Sequence, residues 1–304
     1  MRDAFADAIL ACAQGDGDLL VLDADNATST RTVRVADALP AQFLNVGIAE
    51  QNLIGIAGGL ALDGRRPVAN AFAAMLSQRA YDQVVNVISY QQLPVVVVGH
   101  YAGLSAGPEG AVHHSLFDLG LMSALPGMHV EVPAFDDDVD PCLRRVLAQS
   151  GPAYLRLTRN PVGPSIPSTT GSLEHGWRTW GDGDAEVVVV ALGASVGQAL
   201  SAQSELAASG RPIDVVGINQ LTPSPAGIGD VLRGRRLVLT LEEHTPRTGL
   251  AATIGAAVPG TNLVSLGIDG TFTESGSWSE LQHAYDVDAD AVVARITKEA
   301  GGTE

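Results

Sequence analysis

Basic residues are scarce in this sequence. The 304 residues include 18 lysines and arginines but 34 aspartates and glutamates, which gives a formal net charge of −16. Nucleic acids and anionic membrane surfaces bind proteins through basic faces. The composition therefore argues against either as a partner. A phosphorylated small molecule remains compatible, because a few arginines focused at one place would suffice to bind it.

Long hydrophobic runs are absent as well, and cysteines are few. No uninterrupted apolar stretch reaches the roughly 20 residues of a membrane span. The first residues, Met1-Arg2-Asp3, begin an acidic helical stretch rather than a signal-type hydrophobic segment. The two cysteines, Cys12 and Cys142, fit a reducing compartment, and we expect both to be small core residues. These features together predict a soluble cytoplasmic protein.

Apolar material is abundant, at 46% of residues against 17% charged, and the length allows two domains of ordinary size. Valine-rich runs without alternation predict strands buried on both faces, as in a parallel sheet covered by helices. We therefore predict an α/β protein of two domains, each a mostly parallel sheet flanked by helices. The predicted strands lie at 19–23, 93–99, 128–133, 153–157, 185–193, 213–217, 236–240 and 262–266, and predicted helices at 47–62, 76–90 and 135–149. A segment rich in proline, serine and glycine predicts a linker, so that the domains span 1–165 and 185–304 with the linker at 166–184.

One carboxylate stands at the head of an otherwise apolar helical segment. Glu50 precedes a run from Leu53 to Leu62 that has no charge and has hydrophobic residues all round the helical wheel. Such a helix is predicted to be buried, and its glycines at 55, 58 and 59 suggest that another backbone packs closely against it. An acid at the mouth of a buried helix is suited to proton transfer, although the first turn of a helix favours acids in any case.

Several motifs resemble the pyrimidine-binding domain of the transketolase family of thiamine-diphosphate enzymes. They are the run Phe43–Asn52 around Glu50, Ala71–Met75, Gln78–Val84, and the loop from Ala102 to Gly107 that continues through Glu109 to His113. The tail Phe272-Thr-Glu-Ser-Gly276, followed by Glu280-Leu281, resembles the closing motif of the family's C-terminal domain. The resemblance covers nearly the whole chain in the family's order.

The resemblance implies roles for residues at the cofactor. Glu50 aligns with the glutamate that hydrogen-bonds the pyrimidine ring nitrogen of thiamine diphosphate, and Phe72 with an aromatic residue that clamps the ring. Met75 and Gln78 stand where other members carry aromatic residues, so a looser clamp is expected. Asp25 follows the first strand, where it could face the thiazolium or cap a turn. Phe72 and Met75 could also be ordinary core residues.

Substrate roles are implied in the same way. His113 aligns with a histidine that binds donor oxygens and moves protons, and Glu109 stands where transketolases carry an aspartate that reads donor hydroxyls. Arg159 matches a phosphate-binding arginine, and Ser29 and Arg2 are candidate further phosphate contacts. Tyr101 departs from the pattern, because it occupies the position of a histidine in transketolases and of an arginine in deoxyxylulose-phosphate synthases. The departures concentrate at the substrate.

The family's motif for the diphosphate and its divalent metal is missing. Gly15-Asp16-Gly17 imitates the motif but precedes a strand instead of following one, so it is predicted to be a turn, and no metal ligands are assigned. The resemblance therefore implies that thiamine diphosphate is shared with a separate N-terminal transketolase subunit that also holds the Mg²⁺, in an α2β2 heterotetramer. The expected reaction transfers a two-carbon ketol unit from a ketose or ketose phosphate to an aldehyde.

Three alternatives remain open at this point. The chain could be the β subunit of a 2-oxo acid dehydrogenase decarboxylating component, although the Phe-Thr-Glu-Ser-Gly tail argues against this. It could resemble 1-deoxyxylulose-5-phosphate synthase in activity. It could also be a non-catalytic partner subunit, as the departures at Met75, Gln78 and Tyr101 would suggest, although Glu50 and His113 are retained.

Overall fold

A computed structural model describes residues 1–301 of the chain. Its strands are β1 Leu19–Asp23, β2 Phe43–Asn45, β3 Arg66–Phe72, β4 Val96–His100, β5 His129–Glu131, β6 Ala153–Arg156, β7 Thr170–Ser172, β8 Trp177–Trp180, β9 Val187–Leu192, β10 Asp214–Ile218, β11 Gln220–Thr222, β12 Leu237–Leu241 and β13 Leu263–Leu266. They form a seven-stranded sheet in the order β11-β5-β6-β4-β3-β1-β2 and a six-stranded sheet in the order β13-β12-β9-β10-β8-β7.

Helices cover both sheets. The α-helices are α1 Arg2–Gly15, α2 Ala27–Thr30, α3 Val33–Ala38, α4 Glu50–Leu62, α5 Tyr81–Gln83, α6 Asp118–Ser123, α7 Val139–Leu147, α8 Ser195–Ala208, α9 Ile228–Leu232, α10 Leu250–Ala257, α11 Trp278–Ala284 and α12 Ala289–Gly301. Short 3₁₀ turns lie at Pro40–Gln42, Gly107–Glu109, Asp136–Asp138 and Leu173–His175. No helix within residues 1–301 is long and apolar enough to cross a membrane.

The first sheet confirms the predicted parallel arrangement. Strands β1 to β6 pair in parallel, and the valines of β4 are buried, as expected for a sheet covered on both faces. The carboxyl ends of β1, β3 and β4 lie side by side, so the residues that follow them are brought to one edge of the sheet. This edge carries the candidate site.

The glutamate helix α4 is only half buried, which corrects the sequence prediction. Leu53, Ile54, Ala57 and Gly58 face the core, whereas Gln51, Asn52, Gly55 and Gly59 are exposed. Only Gly58 is tightly packed: a Cβ there would lie 2.3 Å from the Val87 side chain. A face of α4 that carries Gly55, Gly59 and the exposed side chain of Leu62 is thus left uncovered in the single chain. Sequence periodicity cannot distinguish burial within a chain from burial against another chain, because both require apolar residues.

The segment predicted as one helix over 76–90 is irregular. It consists of a π-helical turn at Met75–Arg79, the short α5, and a second π-helical stretch at Val84–Ser89. π-Helical turns are uncommon and often occur at functional sites. The first of them carries Met75, Gln78 and Arg79.

The second sheet is parallel from β13 to β10 and ends in the antiparallel strands β8 and β7. These two strands lie within residues 166–184, which we predicted to be a linker, so much of that segment is part of the sheet. The sequence Trp177-Arg-Thr-Trp180 has the aromatic and β-branched residues that favour strands. The proline- and serine-rich stretch before it masked this signal.

The two sheets are not independent. Strand β11, which follows β10 of the second sheet, pairs antiparallel with β5 and so completes the first sheet. One hydrophobic cluster also contains residues of both sheets, such as Val130 and Val190. Of the two cysteines, Cys142 is buried as predicted, whereas Cys12 is only half-buried.

Glu242, after β12, gives a prediction about stability and pH. Burial raises the pKa of its carboxyl to about 7, although the N–H groups of Leu250 and Ala251 donate to it at 2.7 and 2.9 Å. Between pH 4.5 and 7 the folded state therefore holds a proton that the unfolded state releases, so this residue lowers stability as pH rises through that window. The free energy of unfolding in urea should be measured for wild type and Glu242→Gln at both ends of this pH window. We expect the difference between the two proteins to change by about 3 kcal/mol from one end to the other. Parallel stability curves would contradict this prediction.

Candidate active site

Glu50 is the first residue of α4, and its side chain is 4% exposed. One carboxylate oxygen, Oε2, accepts a hydrogen bond from Nη1 of Arg79 at 2.8 Å. The other oxygen, Oε1, accepts none from residues 1–301. A buried carboxylate thus has one oxygen paired and one available to a ligand.

Arg79 was not singled out from the sequence. It lies within the Gln78-Arg-Ala-Tyr-Asp motif, but it is 29 residues from Glu50, and only the fold brings the two together. Its side chain is about half exposed, so the ion pair is accessible to solvent at the arginine and closed to it at the glutamate. Because solvent screens the half-exposed arginine, the ion pair is expected to contribute little to the stability of the fold.

Asp25 lies near the turn that precedes Glu50. Its backbone is left-handed (φ 63°), and two hydrogen bonds join it to Asn45. The Asp25 N–H donates to Oδ1 of Asn45 at 3.1 Å, and Nδ2 of Asn45 donates to Oδ1 of Asp25 at 3.0 Å. The same Asn45 oxygen accepts from the N–H of Gly47 at 2.9 Å. Asp25 is therefore fixed and exposed beside the glutamate turn.

Three ring side chains form a cluster at the carboxyl edge of the first sheet. The rings of Phe72 and Tyr101 are 4.6 Å apart, and the His113 ring meets Phe72 edge-on at 5.9 Å. Tyr101 follows β4 with a left-handed backbone (φ 60°), which is uncommon for a residue other than glycine, and its side chain is buried. Phe72 was predicted to lie at the cofactor and Tyr101 and His113 at the substrate, and in the structure the Phe72 ring contacts both of the others.

Two arginines converge on Tyr101. Nη1 of Arg2 donates to the phenol oxygen at 2.8 Å and to the carbonyl oxygen of Ser29 at 3.1 Å. The guanidinium of Arg159 lies over the ring, 5.1 Å from its centroid, and 3.6 Å from the carboxylate of Glu109. Two cations therefore meet around one neutral side chain, an arrangement suited to an anionic ligand.

Some predicted residues contribute differently from expectation. Ser29 reaches Arg2 through its carbonyl oxygen, not its hydroxyl. Met75 is half-buried and Gln78 exposed on the π-helical turn, and no hydrogen bond or ring contact within residues 1–301 joins either to the cluster. The neighbouring histidine His114 is buried and bonded to Thr273 Oγ1 at 2.6 Å and to the Gly107 carbonyl at 3.1 Å, so its contacts are structural.

His100 faces away from this site. It ends β4, stacks edge-on against Phe5, and lies 3.2 Å from Asn70 Oδ1. Burial, together with the positive N-terminus and Arg2, lowers its pKa to about 3, so it is neutral. In the Gly15-Asp16-Gly17 triplet, Gly15 ends α1 and the other two residues enter the turn before β1, as predicted, with the Asp18 N–H donating to Oδ1 of Asp16 at 3.0 Å.

Within the described part of the chain, one group of side chains is spaced to share a metal ion. It consists of His283, Asp288 and Asp290 at the turn between α11 and α12, where His283 is already hydrogen-bonded to Asp288 at 2.7 Å. None of these residues is among those of the candidate site.

Comparisons with known proteins agree with the geometry. Residues 1–164 match the family model of the transketolase pyrimidine-binding domain, and residues 181–292 match that of the transketolase C-terminal domain. The chain belongs to the transketolase family. This result confirms the resemblance and the fold class predicted from the sequence.

Relatives of this transketolase-family chain include proteins of similar length. It is 32% identical to the 6-deoxy-6-sulfo-D-fructose transketolase subunit SqwH of Clostridium sp. MSTE9, over 96% of this chain and 92% of that protein. A solved structure described as a split-gene transketolase, an inactive β4 tetramer, superimposes with a TM-score of 0.87 at 33% identity, covering 98% of this chain and 97% of the other. These similarities support its interpretation as the C-terminal subunit of a split transketolase.

Longer relatives match over about half of their length. The chain is 31% identical to 1-deoxy-D-xylulose-5-phosphate synthase 1 of Geobacter metallireducens, over 96% of this chain but 48% of that enzyme. The transketolase structure from Campylobacter jejuni superimposes with a TM-score of 0.85 at 17% identity, covering 98% of this chain and 46% of the other, which shows the shared fold.

Proposed function

We propose that this chain is the pyrimidine-binding half of a thiamine-diphosphate-dependent transketolase that transfers a two-carbon ketol unit from an anionic ketose to an aldehyde. The observation that carries the proposal is the grouping at one sheet edge of a buried carboxylate with a free oxygen, Glu50, and an aromatic cluster flanked by Arg2 and Arg159. The first feature suits the cofactor, and the second suits the charged end of a sugar.

The residues present fit the cofactor. Glu50 Oε1 would be available to share a proton with the ring nitrogen of an aminopyrimidine, and the burial of the Glu50 side chain would strengthen that bond. Phe72 would lie against the pyrimidine ring, Met75 and Gln78 would border it, and Asp25 would face the thiazolium. When bound, thiamine diphosphate supplies the carbon nucleophile that attacks the donor's carbonyl.

The chain's other residues would bind and orient the donor. His113 and Glu109 would bind hydroxyl groups of the donor, and the His113 imidazole would also accept or donate a proton at a donor oxygen. Arg159 and Arg2 would hold the anionic end, with Tyr101 as a neutral spacer between the two cations and Ser29 positioning Arg2. Arg2 has no carboxylate partner within residues 1–301, which leaves its charge for a ligand.

We further propose that Mg²⁺ and the diphosphate are held by a separate N-terminal transketolase subunit in an α2β2 assembly. Two features support a partner: the uncovered face of α4 next to Glu50, and exposed apolar residues on the same domain, among them Ile48 and Tyr90, which are 75% and 85% exposed. The relative described as an inactive β4 tetramer is consistent with a subunit that needs such a partner.

Reconstitution tests this proposal. Purified alone, the chain should show no thiamine-diphosphate-dependent ketol transfer, and addition of a purified candidate N-terminal subunit with Mg²⁺ should restore it. Turnover should be assayed with ketose phosphates, a ketose sulfonate and neutral ketoses. Transfer by the isolated chain would rule out the need for a partner, and a preference for neutral ketoses would rule out the anionic donor.

A further inference from the structure

The 101–117 loop carries Tyr101, Glu109 and His113, the residues assigned above to the donor. A pair of hydrogen bonds closes the loop on itself: the Gly103 N–H donates to the Ser115 carbonyl at 3.2 Å, and the Ser115 N–H returns to Gly103 at 3.1 Å. These bonds fix the neck of the loop. The rest of the loop is contacted from both domains. Within the first domain, the Ala102 N–H donates to the Leu157 carbonyl at 3.0 Å, and the Arg159 N–H donates to the Ser105 hydroxyl at 3.0 Å.

A buried carboxylate from the second domain contacts this neck. Oε2 of Glu243, which follows β12, accepts a hydrogen bond from the Leu104 N–H at 3.0 Å. Gly103 makes room for it: a Cβ at that position would lie 2.5 Å from Oε2, and the backbone there is left-handed (φ 62°). The contact therefore depends on a glycine in the first domain and an acid in the second.

The other oxygen of Glu243 is held by helix α11. Nε1 of Trp278 donates to Oε1 at 2.8 Å, and Nε2 of Gln282 donates to it at 2.7 Å. With Leu104, three donors surround one carboxylate that solvent scarcely reaches. Such a carboxylate is held in one position, since each oxygen is tied to a different element.

The tail motif found in the sequence supports this arrangement. Ser277 caps α11, with its hydroxyl accepting from the Glu280 N–H while the Glu280 carboxylate accepts from the Ser277 N–H. Just before it, Thr273 binds His114 of the loop at 2.6 Å. The segment from Phe272 to Glu280 thus both starts the helix that holds Glu243 and contacts the loop directly.

We propose that Glu243 is a positioning residue for the donor site, through which the second domain braces the 101–117 loop. This inference rests on the proposed function for the identity of the site, but the brace itself does not. The Glu243 carboxylate makes no hydrogen bond to Tyr101 or His113. It acts on them by fixing Leu104 and hence the loop on which they stand.

Glu243→Gln tests the proposal on the whole chain. The amide keeps the size of the side chain but places an NH2 group among three donors, so at least one of the bonds must break. In hydrogen–deuterium exchange, the Leu104 amide and the peptides of the 101–117 loop should exchange at least tenfold faster than in wild type. Glu242→Gln is the matched control: it is the adjacent buried glutamate and bonds Leu250 and Ala251 instead, so loop exchange should stay at the wild-type rate.

A second readout uses the chain reconstituted with its partner. Glu243→Gln should raise KM for the donor at least tenfold while leaving exchange of the cofactor's C2 proton, which depends on Glu50, unchanged. Trp278→Phe removes a single hydrogen-bond donor from Oε1 of Glu243, so it should give a smaller change in both loop exchange and KM. This variant replaces Glu243→Gln as the test if the glutamine variant does not fold.

The outcomes are distinguishable. Loop exchange equal to wild type in Glu243→Gln and in Trp278→Phe would overturn the brace. Faster loop exchange with an unchanged donor KM would overturn the positioning role. If the wild-type pair transfers no ketol unit at all, the proposed function fails, and the exchange experiment on the chain alone still decides whether Glu243 fixes the loop.

Discussion

Replacement of Glu50 by glutamine is expected to slow exchange of the C2 proton of thiamine diphosphate by about 10²- to 10⁴-fold in the reconstituted enzyme. Glutamine is nearly the same size, but its amide cannot share a proton with the pyrimidine nitrogen as a carboxyl group does. The exchange rate, followed by NMR after transfer to D2O, measures this step without involving the donor. Wild-type exchange in the variant would show that Glu50 does not have this role.

The glutamine variant should remain folded. The only hydrogen bond that Glu50 accepts within residues 1–301 comes from Arg79, whose side chain is about half exposed, so its loss should cost no more than about 1 kcal/mol. Asp63→Asn is a suitable control, because Asp63 is an exposed acid at the opposite end of the same helix. Its C2 exchange rate should match that of the wild type.

Removal of the arginines around Tyr101 should weaken binding of an anionic donor. Arg159→Ala and Arg2→Ala are each expected to cost about 2–4 kcal/mol, or about 30- to 1000-fold in donor affinity, since each deletes a charge-assisted contact. Neutral ketoses should bind the variants and the wild type equally. Steady-state KM values for phosphorylated, sulfonated and neutral donors measure the difference.

The control for these variants is Arg65→Ala, which removes an exposed arginine paired with Asp18 away from the site. An equal loss on anionic and neutral donors would indicate that Arg159 and Arg2 are structural. A loss of affinity confined to the sulfonated donor would identify the class of donor. The sulfonate is included because this chain is similar to the 6-deoxy-6-sulfo-D-fructose transketolase subunit of Clostridium.

The fold was largely predictable because its signals are local. Continuous valine runs such as Val187–Leu192 require burial on both faces, and the structure confirms a mostly parallel sheet there. The segment 166–184, which we predicted to be a linker, contains β7, a short edge strand, and β8, which pairs with both β7 and β10. Edge strands need few buried residues, so their sequences resemble those of loops.

The candidate site was predictable in its members but not in their contacts. The motif order identified Glu50, Phe72, Tyr101, His113 and Arg159, and the structure places the last four around one ring cluster. No sequence pattern pairs Arg79 with Glu50 or Glu243 with Leu104. The packing of strands and domains determines which of these residues meet. The first pair is separated by 29 residues and the second by 139, so neither pair produces a periodic pattern in the sequence.

The sequence by itself thus determined the parallel α/β architecture and the residue types of the site, since both depend on hydrophobic patterning and on short motifs. Only the tertiary structure decided which oxygen of Glu50 is available, that two arginines meet on Tyr101, and that the second domain holds the 101–117 loop. The physical reason is that hydrogen bonds act over about 3 Å, and distances of that size between remote residues exist only once the chain has folded.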